Sequence, residues 1–247
     1  MERPANRPGT IPGVGGYVLA GGKSSRMGRD KALLELGGKP LIAHAVTKLC
    51  RLCANVHILG ANPALAVCAP LVFDLHPGCG PISGLEAALA NSPHDWNLML
   101  PVDMPFVPTA FLEEWVRRVA WRRSLRIRVA YFSVFGRPQP ALLLVHRDAA
   151  PHLTQAIARG EYKLLPALEG AAAALALPGA KPPERVPYVL SIDEHLKFGG
   201  REIPPVNVRP WQLLTPGQRA AQPLWFANLN TPEDFRLAEA NIAALDS

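Results

Sequence analysis

A glycine-rich loop with cations at its far end is the part of the sequence best suited to chemistry. The run from Leu19 to Lys31 reads LAGGKSSRMGRDK, and it follows a short apolar segment that begins at Tyr17. Glycines let backbone N–H groups approach an anion closely, and Arg26 and Lys31 supply the positive charge that a triphosphate requires. The spacing therefore predicts a phosphate-binding loop, with an ordinary glycine-rich connection as the alternative.

Two named phosphate-binding motifs do not fit this loop. A Walker loop requires a glycine with four residues between it and Gly22-Lys23-Ser24, and that position is Tyr17. The dinucleotide-binding fingerprint requires its glycines after a strand, whereas Gly13 to Gly15 precede the strand that we predict at 17–20. Neither class of nucleotide-binding protein is indicated.

Two acidic residues follow later apolar runs and are candidates for the same site. Asp103 lies between Pro101 and Pro105 in the segment PVDMP, and Asp74 follows the run 71–73. A carboxylate at the end of a strand suits Mg²⁺, which takes one or two protein carboxylates together with phosphates and water. For both residues the alternative is a role in a turn or a helix cap.

Short apolar strands alternate with amphipathic helices along the chain, which predicts an α/β fold with a mostly parallel sheet. We predict strands at 17–20, 56–59, 71–73, 96–100, 127–134, 141–145 and 224–227, and helices at 40–52, 64–67, 82–91, 108–123 and from 232 onward. Sheets of this kind bind ligands at the carboxyl ends of their strands. The glycine-rich loop, Asp74 and Asp103 all follow predicted strands.

The chain is predicted to form one domain. Residues 1–15 are rich in Pro, Gly and Arg and contain no apolar core, so we expect a disordered lead-in rather than a signal peptide. Residues 16–247 form the domain, which carries an irregular, proline-rich insertion at about 170–223.

The basic excess is concentrated in one segment. The 247 residues include 26 basic and 20 acidic side chains, a formal charge of +6. Between Trp115 and Arg128 there are six arginines and no acid: Arg117, Arg118, Arg122, Arg123, Arg126 and Arg128. Such a patch can bind nucleic acid, but the outer face of a helix explains it equally well. Because no nucleic-acid-reading motif accompanies the patch, we do not expect nucleic-acid binding.

The cysteines and the apolar runs bear on the location of the protein and on metal, redox and membrane functions. Four cysteines in a chain of this length do not form a disulfide framework, which favours a reducing, cytoplasmic location. Cys50 and Cys53 form a C-x-x-C at the end of a predicted helix, and we interpret them as core residues rather than a metal or redox site. No apolar run approaches the ~18 residues of a membrane-spanning helix, so no membrane partner is expected.

Four segments together resemble a known enzyme family. LAGGKSSRMGRDKALLELGGKPL, LVFDLHPGCGPISGL, LMLPVDMPFVP and NLNTPEDF are similar, in order and spacing, to the signature of the molybdenum cofactor guanylyltransferases, which are MobA-like nucleotidyltransferases. The resemblance covers about Gly16 to Asp148 and resumes near Trp225. It implies a Rossmann-like three-layer sandwich of the nucleotide-diphospho-sugar transferase type.

The resemblance also implies roles for individual residues. The nucleotide-binding residues would be Leu19, Ala20, Gly21, Gly22, Lys31, Asp74, Gly80, Pro81, Gly84 and Asp103, of which Gly80, Pro81 and Gly84 belong to the block associated with guanine. The catalytic residues would be Arg26, Lys31 and Asp103, and Asp103 would bind Mg²⁺.

A further set is expected near the second substrate. Asn228 and Asn230 match family asparagines on the acceptor and metal side, although an Asn before Thr231-Pro232 is also a common helix cap. Arg137 and Gln139, in the segment GRPQP between two predicted strands, are candidates for acceptor binding, with turn formation as the alternative.

The predicted activity is the transfer of GMP from GTP to the terminal phosphate of molybdopterin or Mo-molybdopterin, with Mg²⁺ as cofactor and pyrophosphate as the second product. Molybdoenzymes or other cofactor-biosynthesis proteins are the implied protein partners. The alternatives are a CTP-dependent molybdopterin or sugar-1-phosphate nucleotidyltransferase on the same fold, and a docking protein that binds a nucleotide without turnover.

Overall fold

A seven-stranded β-sheet organises the fold. The protein is represented by a computed structural model, which describes residues 9–21, 30–121, 127–176, 188–192, 197–198, 201–202 and 213–246. Within these ranges, none of the helices has both the length and the apolar character needed to cross a bilayer.

The regular elements follow one another in a largely alternating order. The strands are β1 (Val14–Leu19), β2 (Glu35–Leu36), β3 (Lys39–Pro40), β4 (Asn55–Leu59), β5 (Leu71–Val72), β6 (Trp96–Pro101), β7 (Val129–Val134), β8 (Arg137–His146), β9 (Tyr188–Ile192), β10 (Lys197–Phe198) and β11 (Arg201–Glu202). The α-helices are α1 (Leu41–Leu52), α2 (Pro81–Asn91), α3 (Thr109–Trp121), α4 (Ala150–Ala158), α5 (Leu164–Leu175), α6 (Pro216–Ala220) and α7 (Pro232–Glu239). Short 3-10 helices lie at Lys31–Leu33, Pro63–Val67, Arg147–Ala149, Gln222–Leu224 and Ile242–Ala244.

The central sheet has the strand order β5-β4-β1-β6-β8-β7-β9. Neighbouring strands run parallel from β5 through β6, and β7 and β9 are also parallel, whereas β8 is antiparallel to both of its neighbours. The predicted α/β class with a mostly parallel sheet is therefore confirmed. Four parallel strands, β5, β4, β1 and β6, end at the same edge, which we call the carboxyl edge.

Helices cover both faces of the sheet, as a three-layer sandwich requires. Alternate residues of β1 point to opposite faces, so Val18 packs with α1 and α3 while Tyr17 packs with α2, α4 and α5. One side of α3 faces the sheet, since its Leu112, Trp115 and Val116 are buried. Burial on both faces explains why the strands read as apolar runs.

Three predicted elements are corrected by the structure. The predicted strand 224–227 is wrong: Gln222–Leu224 is a 3-10 helix, and Trp225 is buried with its Nε1 donating to the Gln218 carbonyl oxygen at 2.9 Å. The apolar character of this segment reflects burial without strand pairing. β1 begins three residues earlier than predicted, so Val14 and Gly15 lie inside the strand and not before it.

The third correction concerns the segment GRPQP, which is not a loop. β8 begins at Arg137, and the turn that joins it to β7 consists of Phe135 and Gly136, both with positive φ angles of 48° and 73°. The register shifts beside Tyr131, where β8 accommodates extra residues. This irregularity hid the strand from the sequence pattern.

The described parts of the segment 170–223, which was expected to be irregular, contain regular elements. α5 extends to Leu175, β9 joins the main sheet beside β7, and α6 lies at Pro216–Ala220. The alanine run at 171–174 is helical, since alanine is the strongest helix former. α4 was missed by the sequence patterns.

A buried ion pair ties the end of the described chain to α1. Lys48, with 3% of its side chain exposed, lies 2.5 Å from Asp246 through Nζ and Oδ2, and it also donates to the carbonyl oxygens of Pro105 and Val107. Asp246 in turn accepts from the backbone N and Oγ1 of Thr109 at the start of α3. One carboxylate therefore neutralises a buried ammonium and caps a helix.

Replacing this carboxylate tests its structural role. We expect Asp246→Ala to lower the free energy of unfolding by about 3 kcal/mol, because Lys48 would remain buried without a counter-charge. Denaturant unfolding measures the change. Glu113→Ala is the control, since Glu113 forms a partly exposed pair with Arg117 on the surface of α3 and its loss should cost about 0.5 kcal/mol. Equal losses for the two variants would contradict this role.

The same pair predicts acid sensitivity. Burial alone would raise the pKa of Asp246, but the charge of Lys48 and hydrogen bonds from Lys48 and Thr109 outweigh it and hold the pKa below its ordinary value of 3.8. The unfolded state then binds more protons, so this stabilisation is complete above that value and is lost as the pH falls through the folded pKa. As the pH falls through this range, the free energy of unfolding of Asp246→Ala should therefore decrease less than that of the unmodified protein.

Candidate active site

The ends of the parallel strands are joined closely at the carboxyl edge. The backbone N of Ala20 donates to Leu59 O at 3.0 Å, and Val102 N donates to Leu19 O at 3.1 Å. Gly60 faces this junction, since a Cβ at its position would lie 3.6 Å from the carbonyl carbon of Ala20. The predicted nucleotide-contact residues Leu19, Ala20 and Gly21 therefore lie at the centre of this edge, while Gly22 and Arg26 fall outside the described residues.

Lys31 is held at the far end of the glycine-rich loop by a capping residue. Asp30 caps the 3-10 helix Lys31–Leu33 by accepting from Ala32 N at 3.0 Å, and its second carboxylate oxygen accepts from Asn62 Nδ2 at 2.5 Å. Asn62 itself caps the next 3-10 helix by accepting from Ala64 N. Sequence reasoning missed Asp30 and Asn62, although an Asn directly before Pro63 is a recognisable capping pattern.

Three predicted residues from distant parts of the sequence meet at one point. Lys31 Nζ lies 2.7 Å from Asp103 Oδ2 and 2.6 Å from Asn230 Oδ1. The Lys31 and Asp103 side chains are only 16% and 22% exposed. We call these residues the Lys31 cluster.

Backbone contacts hold the other two members of the Lys31 cluster together. Leu229 N donates to the Asp103 carbonyl oxygen at 3.0 Å, so the segment before α7 pairs with the loop after β6. Asp234 Oδ2 accepts from the backbone N of Asn230 and of Thr231, at 2.8 and 2.7 Å. The hydrogen bond from Asn230 N is the largest cause that lowers the pKa of Asp234. Asp234 is thus an anchor for Asn230 that sequence reasoning treated only as an acid in a helix first turn.

Asp74 and the loop after it form a second part of the carboxyl edge. Asp74 is exposed, and partial desolvation raises the pKa of its carboxyl. Gly84, on α2, faces this side chain, since a Cβ there would lie 3.2 Å from Asp74 Oδ1. Gly80 has a φ of 74° and precedes Pro81, the first residue of α2, so the turn requires a glycine. The structure brings the predicted guanine block next to Asp74.

Side-chain contacts also hold the 75–80 loop against α2. His76 N donates to Ser83 Oγ at 2.8 Å, and His76 Nε2 lies 3.5 Å from Glu86 Oε2. Glu86 is buried on α2 and accepts from Thr154 Oγ1 of α4 at 2.6 Å. Ser83 therefore has a structural role, and His76 and Glu86 support the loop.

The predicted acceptor residues are placed less centrally. Arg137 and Gln139 lie in β8, opposite Val134 and Phe132 of β7. Because Leu143 of β8 pairs with Met99 of β6, residues 137–139 extend beyond the end of β6 on the side of the carboxyl edge. The hydrogen bonds that define the Lys31 cluster join Lys31 to Asp103 and Asn230 rather than to these residues.

The chemistry available at this edge is that of anions and hard cations. Two oxygen atoms, from Asp103 and Asn230, converge on a single ammonium group. In the part of the chain that the structure describes, no three His, Cys, Asp or Glu side chains lie together as a complete metal site. A metal here would need phosphate or water oxygens in addition, which is usual for Mg²⁺.

The arginine-rich segment and the C-x-x-C pair, which the sequence also offered as candidate sites, contain residues with structural roles. Arg117 and Arg118 pair with Glu113 and Glu114 one turn earlier on α3, which supports the interpretation as an outer helix face. Arg128 pairs with Asp148, and Arg122, Arg123 and Arg126 lie outside the described residues. Cys53 is free and buried in the core, and this burial raises the pKa of its thiol, so it lacks the character of a reactive cysteine.

Comparison with known proteins identifies similar sequences. Residues 16–173 match the family described as the MobA-like NTP transferase domain. A molybdenum cofactor guanylyltransferase of Serratia proteamaculans is 33% identical over 166 residues, which cover 65% of this chain and 81% of that protein. One from Vibrio atlanticus is 35% identical over 153 residues, covering 60% of this chain and 76% of that protein.

Solved structures share the fold. Molybdopterin-guanine dinucleotide biosynthesis protein A from Archaeoglobus fulgidus superimposes with a TM-score of 0.63 at 24% identity, covering 94% of this chain and all of that one. The 4-diphosphocytidyl-2C-methyl-D-erythritol synthase from Anaerococcus prevotii gives a TM-score of 0.60 at 10% identity, covering 95% and 97%. At these identities the two structures show the common architecture.

The anchor on Asn230 can be tested through stability. We expect Asp234→Ala to lower the free energy of unfolding by about 1 kcal/mol, the usual cost of losing a side chain that satisfies helix N-terminal amides. Asp234→Asn should lose less, because its amide oxygen can still accept a hydrogen bond. Denaturant unfolding measures both. The control is Glu233→Ala, whose partner Arg236 is exposed, and an equal loss there would contradict the assignment.

Proposed function

The chain belongs to the MobA-like NTP transferase family, and from that premise we propose that it transfers GMP from GTP to the terminal phosphate of molybdopterin or Mo-molybdopterin. The relatives at 33% and 35% identity carry the name molybdenum cofactor guanylyltransferase, and the match spans about four fifths of the first. A nucleotidyl transfer of this kind requires a site that neutralises a triphosphate and orients an incoming phosphate.

The observation that carries the proposal is the Lys31 cluster at the carboxyl edge. An ammonium, a carboxylate and an amide oxygen meet there within contacts of 2.7 Å or less, and the ammonium belongs to Lys31, the last residue of the glycine-rich sequence. This combination supports the binding of phosphates together with a divalent cation. The same edge carries Asp74 and the glycine-containing loop at 75–80, where a flat base could lie against the backbone.

In the proposed reaction an oxygen of the acceptor phosphate attacks the α-phosphorus of GTP. The bond between the α-phosphorus and the oxygen bridging to the β-phosphate breaks, and pyrophosphate leaves with the electron pair. The acceptor phosphate is already ionised, so the chain needs no strong general base. Its residues act by position and charge, with Lys31 and Arg26 neutralising the leaving phosphates.

The residues at the Lys31 cluster fit Mg²⁺. Asp103 and Asn230 present oxygen donors that already surround a cation, and Asp103 is partly exposed. Asp103 would be the protein ligand and the remaining positions would belong to phosphates and water. When bound, Mg²⁺ would neutralise charge on the nucleotide phosphates.

The other site residues are proposed to divide between the two substrates. Leu19, Ala20, Gly21 and Gly22 would contact GTP through the backbone. Asp74 would contact the nucleotide, and Gly80, Pro81 and Gly84 would face the guanine. Asn228 and Asn230 would lie on the acceptor side, and Arg137 and Gln139 would reach the acceptor from the β7–β8 hairpin. A cytoplasmic location and transfer of the product to molybdoenzymes are part of the same proposal.

Removing the Asp103 carboxylate tests the catalytic assignment. We expect Asp103→Ala to reduce pyrophosphate release from GTP and molybdopterin at least ~100-fold, because a group that stabilises transition-state charge is lost. The control is Asp95→Ala, since Asp95 is an exposed acid at the opposite, amino end of β6. Near-normal release by Asp103→Ala would contradict the role of Asp103.

Nucleotide choice separates the proposal from its alternatives. Pyrophosphate release is measured with GTP, CTP, ATP and UTP in turn, each with Mg²⁺ and molybdopterin. Release with GTP is the expected result, and release with CTP alone would refute the guanylyl assignment. Binding of GTP without release from any nucleotide would favour a docking protein.

The contact between Gly84 and Asp74 generates a further prediction. In Gly84→Ala the new Cβ would crowd Asp74 Oδ1 at 3.2 Å, and the exposed carboxylate would turn away. We expect GTP affinity to fall at least about threefold while stability holds or rises by up to ~1 kcal/mol, since alanine favours helix. Isothermal titration and denaturant unfolding measure these changes.

A matched glycine provides the control for that variant. Gly170 lies within α5, and a Cβ at its position would meet no atom within 4 Å. Gly170→Ala should therefore stabilise the protein without changing GTP affinity. Unchanged GTP affinity in Gly84→Ala would show that Asp74 does not contact the nucleotide.

A further inference from the structure

The Lys31 ammonium is in direct contact with Asp103 and Asn230. Its Nζ lies 2.7 Å from Asp103 Oδ2 and 2.6 Å from Asn230 Oδ1, so both oxygens point to one cation. With exposed fractions of 16% for Lys31 and 22% for Asp103, bulk water shields the charges only in part. A second cation placed on the same carboxylate would face a like charge that is only partly screened.

We propose that Lys31 is the resident cation of this site and that a divalent metal must displace its ammonium group from Asp103 and Asn230. This inference rests on the proposed function, which makes Asp103 the metal ligand and Lys31 a phosphate ligand. The two roles compete in this arrangement, because the Asp103 carboxylate that would bind the metal already binds Lys31. The Lys31 side chain therefore changes partners when the substrate complex forms.

The backbone around Lys31 allows such an exchange. Asp30 fixes the start of the 3-10 helix through Ala32 N and Asn62 Nδ2, which holds the Cα of Lys31 in place. The ammonium sits at the end of a flexible four-carbon chain, so it can leave Asp103 while the backbone stays still. The nucleotide phosphates, bound beside the glycine-rich loop, would supply the new partner.

The exchange couples the metal to the nucleotide. A metal that enters alone takes the Asp103 carboxylate away from Lys31, whereas a metal that enters with a triphosphate provides a new anion in its place. Affinity for the metal is therefore weak without nucleotide, and the two ligands strengthen each other by linkage. A Lys31 that served only to position Asp103 would have the opposite effect, because its removal would weaken the metal site.

The test measures Mn²⁺ binding to the nucleotide-free protein by isothermal titration and by the loss of the free Mn²⁺ electron paramagnetic resonance signal. Lys31→Met removes the positive charge and adds no oxygen ligand. We expect this variant to bind Mn²⁺ about tenfold more tightly than the unmodified chain, because one nearby like charge has been removed. Lys31→Arg keeps the charge and should show no gain. The double variant Lys31→Met/Asp103→Asn should lose the gain.

Two results would overturn the proposal. One is equal or weaker Mn²⁺ binding by Lys31→Met in a protein whose thermal unfolding is unchanged. The other is a gain that persists in the double variant, which would place the ion away from Asp103. Because neither GTP nor turnover enters the measurement, its outcome is independent of whether the chain proves to be a guanylyltransferase.

Discussion

The candidate site depends on one shared cation. The ammonium of Lys31 joins a carboxylate 72 positions away in sequence and an amide oxygen 199 positions away. Without it, the Asp103 carboxylate would lie near the amide oxygen of Asn230 and would lose its ion pair. The 3-10 helix Lys31–Leu33, the loop after β6 and the segment before α7 are therefore held together by electrostatics as well as by packing. Asp30, Asn62 and Asp234 serve this contact by fixing the backbone on either side of it.

The sheet makes this convergence possible because four neighbouring parallel strands deliver their following loops to one edge. Backbone hydrogen bonds between Ala20 and Leu59 and between Val102 and Leu19 continue the pairing just beyond the strand ends. The loops therefore leave the sheet from closely spaced starting points. The buried Lys48–Asp246 pair acts in a comparable way elsewhere in the fold, where it connects α1, the start of α3 and the last described residues.

Sequence patterns were informative where the physical signal is local. The apolar runs, the glycine-rich loop and the acids after the strands predicted the α/β class and the edge where Asp103 lies. They failed at Trp225, which is buried although it does not lie in a strand. They also failed at β8, an irregular strand that contains Arg137 and Gln139. The anchors Asn62 and Asp234 were missed as parts of the site because a cap shows only that a helix begins, and not which distant side chain it positions.

The long sequence separation within the Lys31 cluster has a consequence for synthesis. At usual translation rates of about 5–20 residues per second, Asn230 leaves the ribosome roughly 10 to 40 seconds after Lys31. The sheet from β1 to β8 and the loop bearing Asp103 are complete well before that. A nascent chain can thus hold a formed carboxyl edge while Lys31 and Asp103 still lack Asn230, their third partner. Maturation of the site is set by the arrival of the last segment rather than by folding of the sheet.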